Sequence, residues 1–151
     1  MKDLYKRLAR EKTRYATPDA YIKEALRYFE NAKSRLRETP VQYNRYLDVK
    51  PVREACGTCY LAVLLTIDGY LLRRGIEEHR LPTSTEGYWK AIRQHIPHNG
   101  KLESAFSIAY ENLHRIGYYL GASDVEVVKS GFRNAKQVID LLLRTLPKKN
   151  S

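Results

Sequence analysis

Apolar positions along the 151-residue chain recur at steps of three and four, the spacing that lines one face of an α-helix. Tyr21, Ala25, Tyr28, Phe29, Ala32 and Leu36 make the first such run and predict a helix from about Pro18 to Arg37. Thr17 is a good N-cap, Pro18 suits the first helical position, and Asp19 complements the helix dipole. Thr39-Pro40 stops the helix, because a residue before proline avoids helical angles. The stretch PVQYNRYLDVKP then reads as an irregular linker. Pro51 opens a second predicted helix that runs to about Arg74 and is closed by Gly75. Val52, Cys56, Cys59, Val63, Ile67 and Tyr70 form one apolar stripe on it. Leu61, Leu64, Leu65 and Leu72 add a second, so this helix is expected to be covered on most sides and central.

A short helix near residues 86–96 carries Tyr88, Trp89 and Ile92 and ends at Pro97 and Asn99-Gly100. A fourth, from about Lys101 to Leu120, has Leu102, Ala105, Phe106, Ala109 and Leu113 in register, with Gly121 as its terminator. The last is expected to start with a capping box, Ser123 to Glu126. Its stripe steps through Val125, Val128, Phe132, Ala135, Ile139, Leu142 and Leu146 in unbroken 3-4 alternation and stops at Pro147. Residues 2–15 read as a short basic helix with a thin stripe of Leu4 and Leu8. The pattern therefore predicts an all-α fold, an up-down bundle of four to five helices over 17–147. A basic N-terminal helix or arm over 1–16 precedes it, and a disordered tail over 148–151 follows.

Composition changes this picture in two respects. Apolar residues make up 43% of the chain, enough for a core without disulfides. The net charge is +10, and Met1 to Arg37 holds eleven Lys/Arg against five acids. That excess favours RNA or another polyanion as a partner without giving specificity; a solubilising face is the plainer reading. The N-terminus lacks the apolar core of a signal peptide, and the apolar run around residues 56–72 is broken by Thr66, Asp68 and Gly69. The expectation is a cytoplasmic protein with no membrane span.

Candidate chemistry is sparse. Cys56-Gly-Thr-Cys59 is a C-x-x-C pair, but both cysteines fall on the apolar stripe inside a helix, so they read as small buried hydrophobes. Zinc would need His95 and His98 as further ligands, at a spacing tighter than usual, and would pull both cysteines from the core. No cofactor or metal is expected. Asp68 interrupts the most apolar helix and should be paired, with Arg115 on the fourth helix the expected partner. In the linker, Tyr43, Arg45 and Tyr46 interleave aromatics with charge. That pattern occurs in sites for single-stranded nucleic acid, but tyrosines that staple a loop onto a bundle are the plainer reading.

The element order resembles the HEPN superfamily (higher eukaryotes and prokaryotes nucleotide-binding). The matching segments are YIKEALRYFENAKSRL, VREACGTCYLAVLLTIDGYLLRRG, and YENLHRIGYYLGASDVEVVKSGFRNAKQVIDLLL. The resemblance implies frequent dimerisation and, in active members, RNA cleavage by an Arg-x4–6-His motif near the last helix. The matching arginine is Arg115, yet the positions for its histidine hold Leu120, Gly121 and Ala122. Nothing there can move a proton near neutral pH. Two other matches to the spacing, Arg74 with His79 and Arg93 with His98, sit at helix ends. With 15 arginines and four histidines, about one such match is expected by chance, and bases in a last turn also stabilise the helix. The sequence thus predicts a non-catalytic interaction module. It is expected to self-associate and to bind a protein partner or polyanion, through Tyr43, Arg45, Tyr46, Asp68 and Arg115. The alternative is an atypical ribonuclease or nucleotide-modifying enzyme that uses Arg74/His79 or Arg93/His98.

Overall fold

The computed structural model describes residues 14–148. Arg14 and Tyr15, the last two residues of the expected helix over 2–15, are not helical; the rest of it and most of the expected tail over 148–151 lie outside the described residues. Within them the chain is an all-α bundle of five helices: α1 (Pro18–Arg37), α2 (Val49–Arg73), α3 (Thr85–His95), α4 (Gly100–Ala109) and α5 (Val125–Arg144). Between α1 and α2 lies a two-stranded hairpin, β1 (Val41–Gln42) and β2 (Arg45–Tyr46).

Helix ends follow local chemistry. Thr17 Oγ1 accepts from the Ala20 amide at 3.1 Å, and Pro18 opens α1. Ser84 caps α3 through the Gly87 amide at 3.0 Å. Gly75 and Gly121 end their helices with φ of +94° and +82°, the left-handed region that favours glycine at a C-terminus. Two expected starts move. α2 begins at Val49, capped by Asp48 through the Lys50 amide at 3.1 Å, so Pro51 lies inside its first turn, where a missing N–H costs nothing. α5 begins at Val125, capped by Asp124 rather than Ser123. The Ser123 hydroxyl accepts from Arg45 at 3.1 Å instead.

α2 is the central helix. Val52, Cys56, Cys59, Val63 and Ile67 are fully buried in the core, where α2 packs against α1, α5 and the segment Tyr110–Leu120. It is long and apolar enough to cross a bilayer, and 67% of its apolar window is buried inside the bundle. The second leucine stripe is not covered as expected: Leu61 is 49% exposed, and Leu64, Leu65 and Leu72 are half-buried. Among the described residues no helix packs over the Leu61–Leu64 part of that face, which walls a cleft described below.

The expected fourth helix is α-helical only to Ala109. Tyr110–Leu120 continues it as a π-helix, a wider coil with i→i+5 bonds that is rare and concentrates at functional sites. Its close packing depends on two glycines. A Cβ built on Gly117 would lie 2.5 Å from Cys56 Sγ, and one on Gly131 of α5 would lie 2.7 Å from Leu113 Cδ2. Backbone, not side chain, therefore meets the neighbouring helices at both crossings.

Candidate functional site

The π segment presents Tyr110, His114 and Tyr118 along one side, four residues apart. Their rings are near parallel: Tyr110 and His114 lie 5.7 Å apart at 23°, and His114 and Tyr118 lie 6.1 Å apart at 22°. From α2, Tyr60 stacks on His114 at 5.0 Å. Gly57, one turn before Tyr60, leaves room for the Tyr118 ring, which a Cβ there would meet at 3.2 Å. Trp89 of α3 closes the far end of this aromatic cluster, edge-on to Tyr110 at 5.3 Å.

This cluster forms one wall of a cleft of about 550 Å³. Leu61 and Leu64 of α2 form the opposite apolar side, and Thr58, Thr83, Ser84 and Thr85 bring hydroxyls to it. The Tyr60 and Thr85 hydroxyls share a hydrogen bond of 3.2 Å, and burial pushes the Tyr60 phenol up to about 12. Burial lowers the His114 pKa below its ordinary 6.5, which keeps the imidazole neutral at physiological pH. Sequence reasoning missed His114 because it sought a histidine after Arg115, not one residue before it. The legible signal was the Tyr-x3-His-x3-Tyr spacing.

Behind the cleft, Tyr88 donates to Asp68 Oδ1 at 2.9 Å, with both residues buried. The expected Asp68–Arg115 pair does not form: Arg115 points outward and pairs with Glu111 at 3.0 Å on its own helix. A buried phenol supplies a hydrogen bond without the cost of burying a guanidinium. Both cysteines are fully buried, and desolvation pushes Cys56 up to about 12 and holds Cys59 well above the usual thiol value. They act as small core residues, not as exposed thiolates.

The remaining sequence candidates are scattered. Arg74 is the C-cap of α2. His79 sits on the 3₁₀ turn Glu78–Arg80, exposed and 3.3 Å from Glu77. The Arg93 guanidinium donates to Glu103 at 2.7 Å. His98 takes a left-handed φ of +53° in the exposed loop between α3 and α4.

The linker residues divide. Tyr43 and Asn44 form the hairpin turn with φ of +52° and +58°, the two positive angles that a tight two-residue hairpin requires. Tyr46 is the staple: it is buried, and its amide donates to Ser123 O at 2.8 Å. Tyr43 at the tip is 90% exposed.

That hairpin, the start of α2 and the end of the π segment meet at one end of the bundle. Arg53 donates to the Tyr118 and Tyr119 carbonyls at 2.8 and 2.7 Å and so caps the orphan acceptors of the π segment. Val125 N bonds Asn44 O at 3.3 Å. Val41, Tyr43, Leu47, Tyr118, Tyr119 and Leu120 are gathered here, and each is between 49% and 90% exposed.

A family model described as "Domain of unknown function (DUF5618)" matches residues 20–144. Among solved structures, a protein of unknown function from Dyadobacter fermentans is similar at 32% identity, with a TM-score of 0.71. The match covers 87% of this chain and 99% of that one. Comparison with curated proteins gives no match.

Proposed function

The chain belongs to the family described as domain of unknown function DUF5618, and from its geometry we propose that it is a non-enzymatic interaction module that pairs with a second copy of itself. The observation that carries this is the aromatic end. With side chains taken at about 150–200 Å² each, its six exposed apolar residues present on the order of 700 Å². That exceeds the roughly 300–600 Å² patch of an ordinary monomer and approaches the ~800 Å² that each partner buries in a standard interface.

Charge around the patch favours a second copy over a polyanion. Arg45, Lys50 and Arg53 alternate there with Asp48, Asp124 and Glu126. A two-fold interface is self-complementary and uses both signs on one surface, whereas phosphate backbones call for a single sign. Along α1 the bases are largely matched by acids: Arg27 with Glu24, Lys33 with Glu30, and Arg35 with Glu54 at 2.6 Å. The helix order supports a distant HEPN-like kinship as part of this proposal, and a cytoplasmic location suits it.

Concentration-dependent light scattering on the full chain tests the reading. The unaltered protein should run at twice the chain mass, and Leu120→Lys or Tyr43→Lys should weaken pairing by at least tenfold, as loss of a central apolar anchor does. A chain that stays monomeric at high concentration, or pairing indifferent to both substitutions, would overturn it. RNA cleavage that His79→Ala or His98→Ala abolishes would replace it with the enzymatic alternative.

A further inference from the structure

We propose that the cleft between α2, the start of α3 and the π segment is a binding site for a small, planar, uncharged aromatic molecule. The ligand stacks on the His114–Tyr118 wall and hydrogen-bonds to the polar groups that line the cleft. This inference does not rest on the self-association reading, with which it shares one residue, Tyr118.

Size and shape come first. At about 550 Å³ the cleft lies in the range of sites that enclose small organic ligands. Its lining combines the near-parallel rings of Tyr60, His114 and Tyr118 with the branched carbons of Leu61 and Leu64. A cleft lined by parallel rings admits a flat ring better than a bulky aliphatic group, because a ring can lie in offset stacking on Tyr118 or His114. The apolar cost of leaving this surface wet is visible in Leu61, 49% exposed, and Tyr118, also 49%.

Hydrogen-bonding capacity points the same way. The His114 side chain makes ring contacts but no hydrogen bond or ion pair among the described residues. Held neutral, its imidazole offers one donor and one acceptor. The hydroxyls of Thr58 and Thr83 likewise make no hydrogen bond among the described residues. A ligand with a polar edge, such as a ring amine or ring nitrogen, would satisfy groups that otherwise bond only water.

Charge settles the class of ligand. No Lys or Arg lines the cleft among the described residues, and the ionised side chain at its margin is the Glu54 carboxylate, paired with Arg35 at 2.6 Å. Among the described residues a phosphate, sulfonate or carboxylate would find no lining cation to pair with, only the Glu54 carboxylate already neutralised by Arg35. An uncharged ring loses nothing there.

The test uses two fluorescent probes on the full chain. N-phenyl-1-naphthylamine is neutral and offers a flat naphthalene ring; 8-anilinonaphthalene-1-sulfonate has the same ring system with a negative charge. The neutral dye should bind one per chain, and the sulfonate at least tenfold more weakly. Leu64→Trp, which fills the cleft, should abolish uptake. His114→Ala should weaken it about tenfold, in the range of one lost stacking contact, and His114→Phe should restore it, which separates a lost wall from a damaged fold. Leu120→Lys should leave dye binding intact and Leu64→Trp should leave pairing intact, so failure here and failure of the self-association reading are separately visible. No uptake of the neutral dye, equal uptake by Leu64→Trp, or tighter binding of the sulfonate would each sink the proposal.

Discussion

Replacing Gly117 with alanine should destabilise the bundle, against the usual gain from glycine to alanine in a helix. Alanine is worth up to about 1 kcal/mol over glycine at an unhindered helical site. At Gly117, however, the new methyl would sit 2.5 Å from Cys56 Sγ, 2.8 Å from Cys56 Cβ and 2.9 Å from the Asn112 carbonyl oxygen. Non-bonded carbons prefer about 3.5–4.0 Å, so the overlap with Cys56 exceeds about 0.5 Å at both atoms, and the third contact is backbone of the same segment that cannot rotate away. Overpacking of this kind costs about 1–3 kcal/mol, and three simultaneous overlaps place Gly117→Ala at the upper end, a net loss of about 2 kcal/mol. For a chain of this length that lowers Tm by roughly 4–8 °C. Urea unfolding followed by the single tryptophan reads the change directly, since Trp89 packs edge-on to Phe106 and Tyr110. Adding Cys56→Ala should recover about 1 kcal/mol relative to additivity, because it removes the sulfur from the overlap. A neutral or stabilising Gly117→Ala, or strict additivity with Cys56→Ala, would refute the argument that backbone contact at this crossing holds the π segment in place.

Three further outcomes follow from the same geometry. Cys56, Cys59, Tyr60 and Tyr88 all have pKa values raised by burial, so the folded state keeps protons that the unfolded chain releases. Their stabilising contribution is complete below about pH 9 and falls as pH rises from there toward 12, by about 1.4 kcal/mol per group per pH unit; circular dichroism should show cooperative alkaline unfolding in that window, and a melting temperature flat from pH 8 to 11 would contradict it. An aromatic disulfide reagent should label neither cysteine in the native protein and both in denaturant, whereas rapid native labelling would revive a redox role for the C-x-x-C pair. Tyr88→Phe should cost about 1.5–3 kcal/mol, the worth of a buried bond to a carboxyl group, while Tyr43→Phe at the exposed hairpin tip should change stability by less than about 0.5 kcal/mol; equal effects would mean that the 2.9 Å Tyr88–Asp68 bond contributes nothing.

The fold was legible where a local rule acts without competition. Thr17, Gly75 and Gly121 mark helix ends through groups within a turn of themselves, and the 3-4 stripe of α2 placed both cysteines in the core. The misplaced boundaries share one cause: two residues competed for one role. Asp124 and Ser123 are both good caps, and a contact with Arg45, 78 residues away in sequence, took Ser123 out of contention. Pro51 fits any position of a first turn, so it could not show that Asp48 is the cap. The hairpin was hidden because its turn places a tyrosine at positive φ, which residue preferences do not suggest. The π coil was hidden too: its packing brings Gly117 against Cys56 across a helix crossing, a tertiary contact that no local pattern marks.

The candidate site was legible only in fragments. Leu61 and Leu64 were visible as a second apolar stripe, but a stripe cannot announce that no helix covers it. Asp68 was marked as needing a partner, and the partner proved to be a phenol where a guanidinium was expected. His114 lay in view within YENLHRIGYY, and only its four-residue spacing from two tyrosines distinguished it from any helical histidine.

The central claim is that two copies meet at the hairpin and the end of the π segment. Isotope-filtered nuclear Overhauser spectra on a mixture of labelled and unlabelled chain test it most directly. The account predicts intermolecular signals from Tyr43, Tyr119 and Leu120 to the same end of the other copy. Intermolecular signals confined to the outer faces of α1 or α5, or none from a sample in which light scattering finds a dimer, would contradict it.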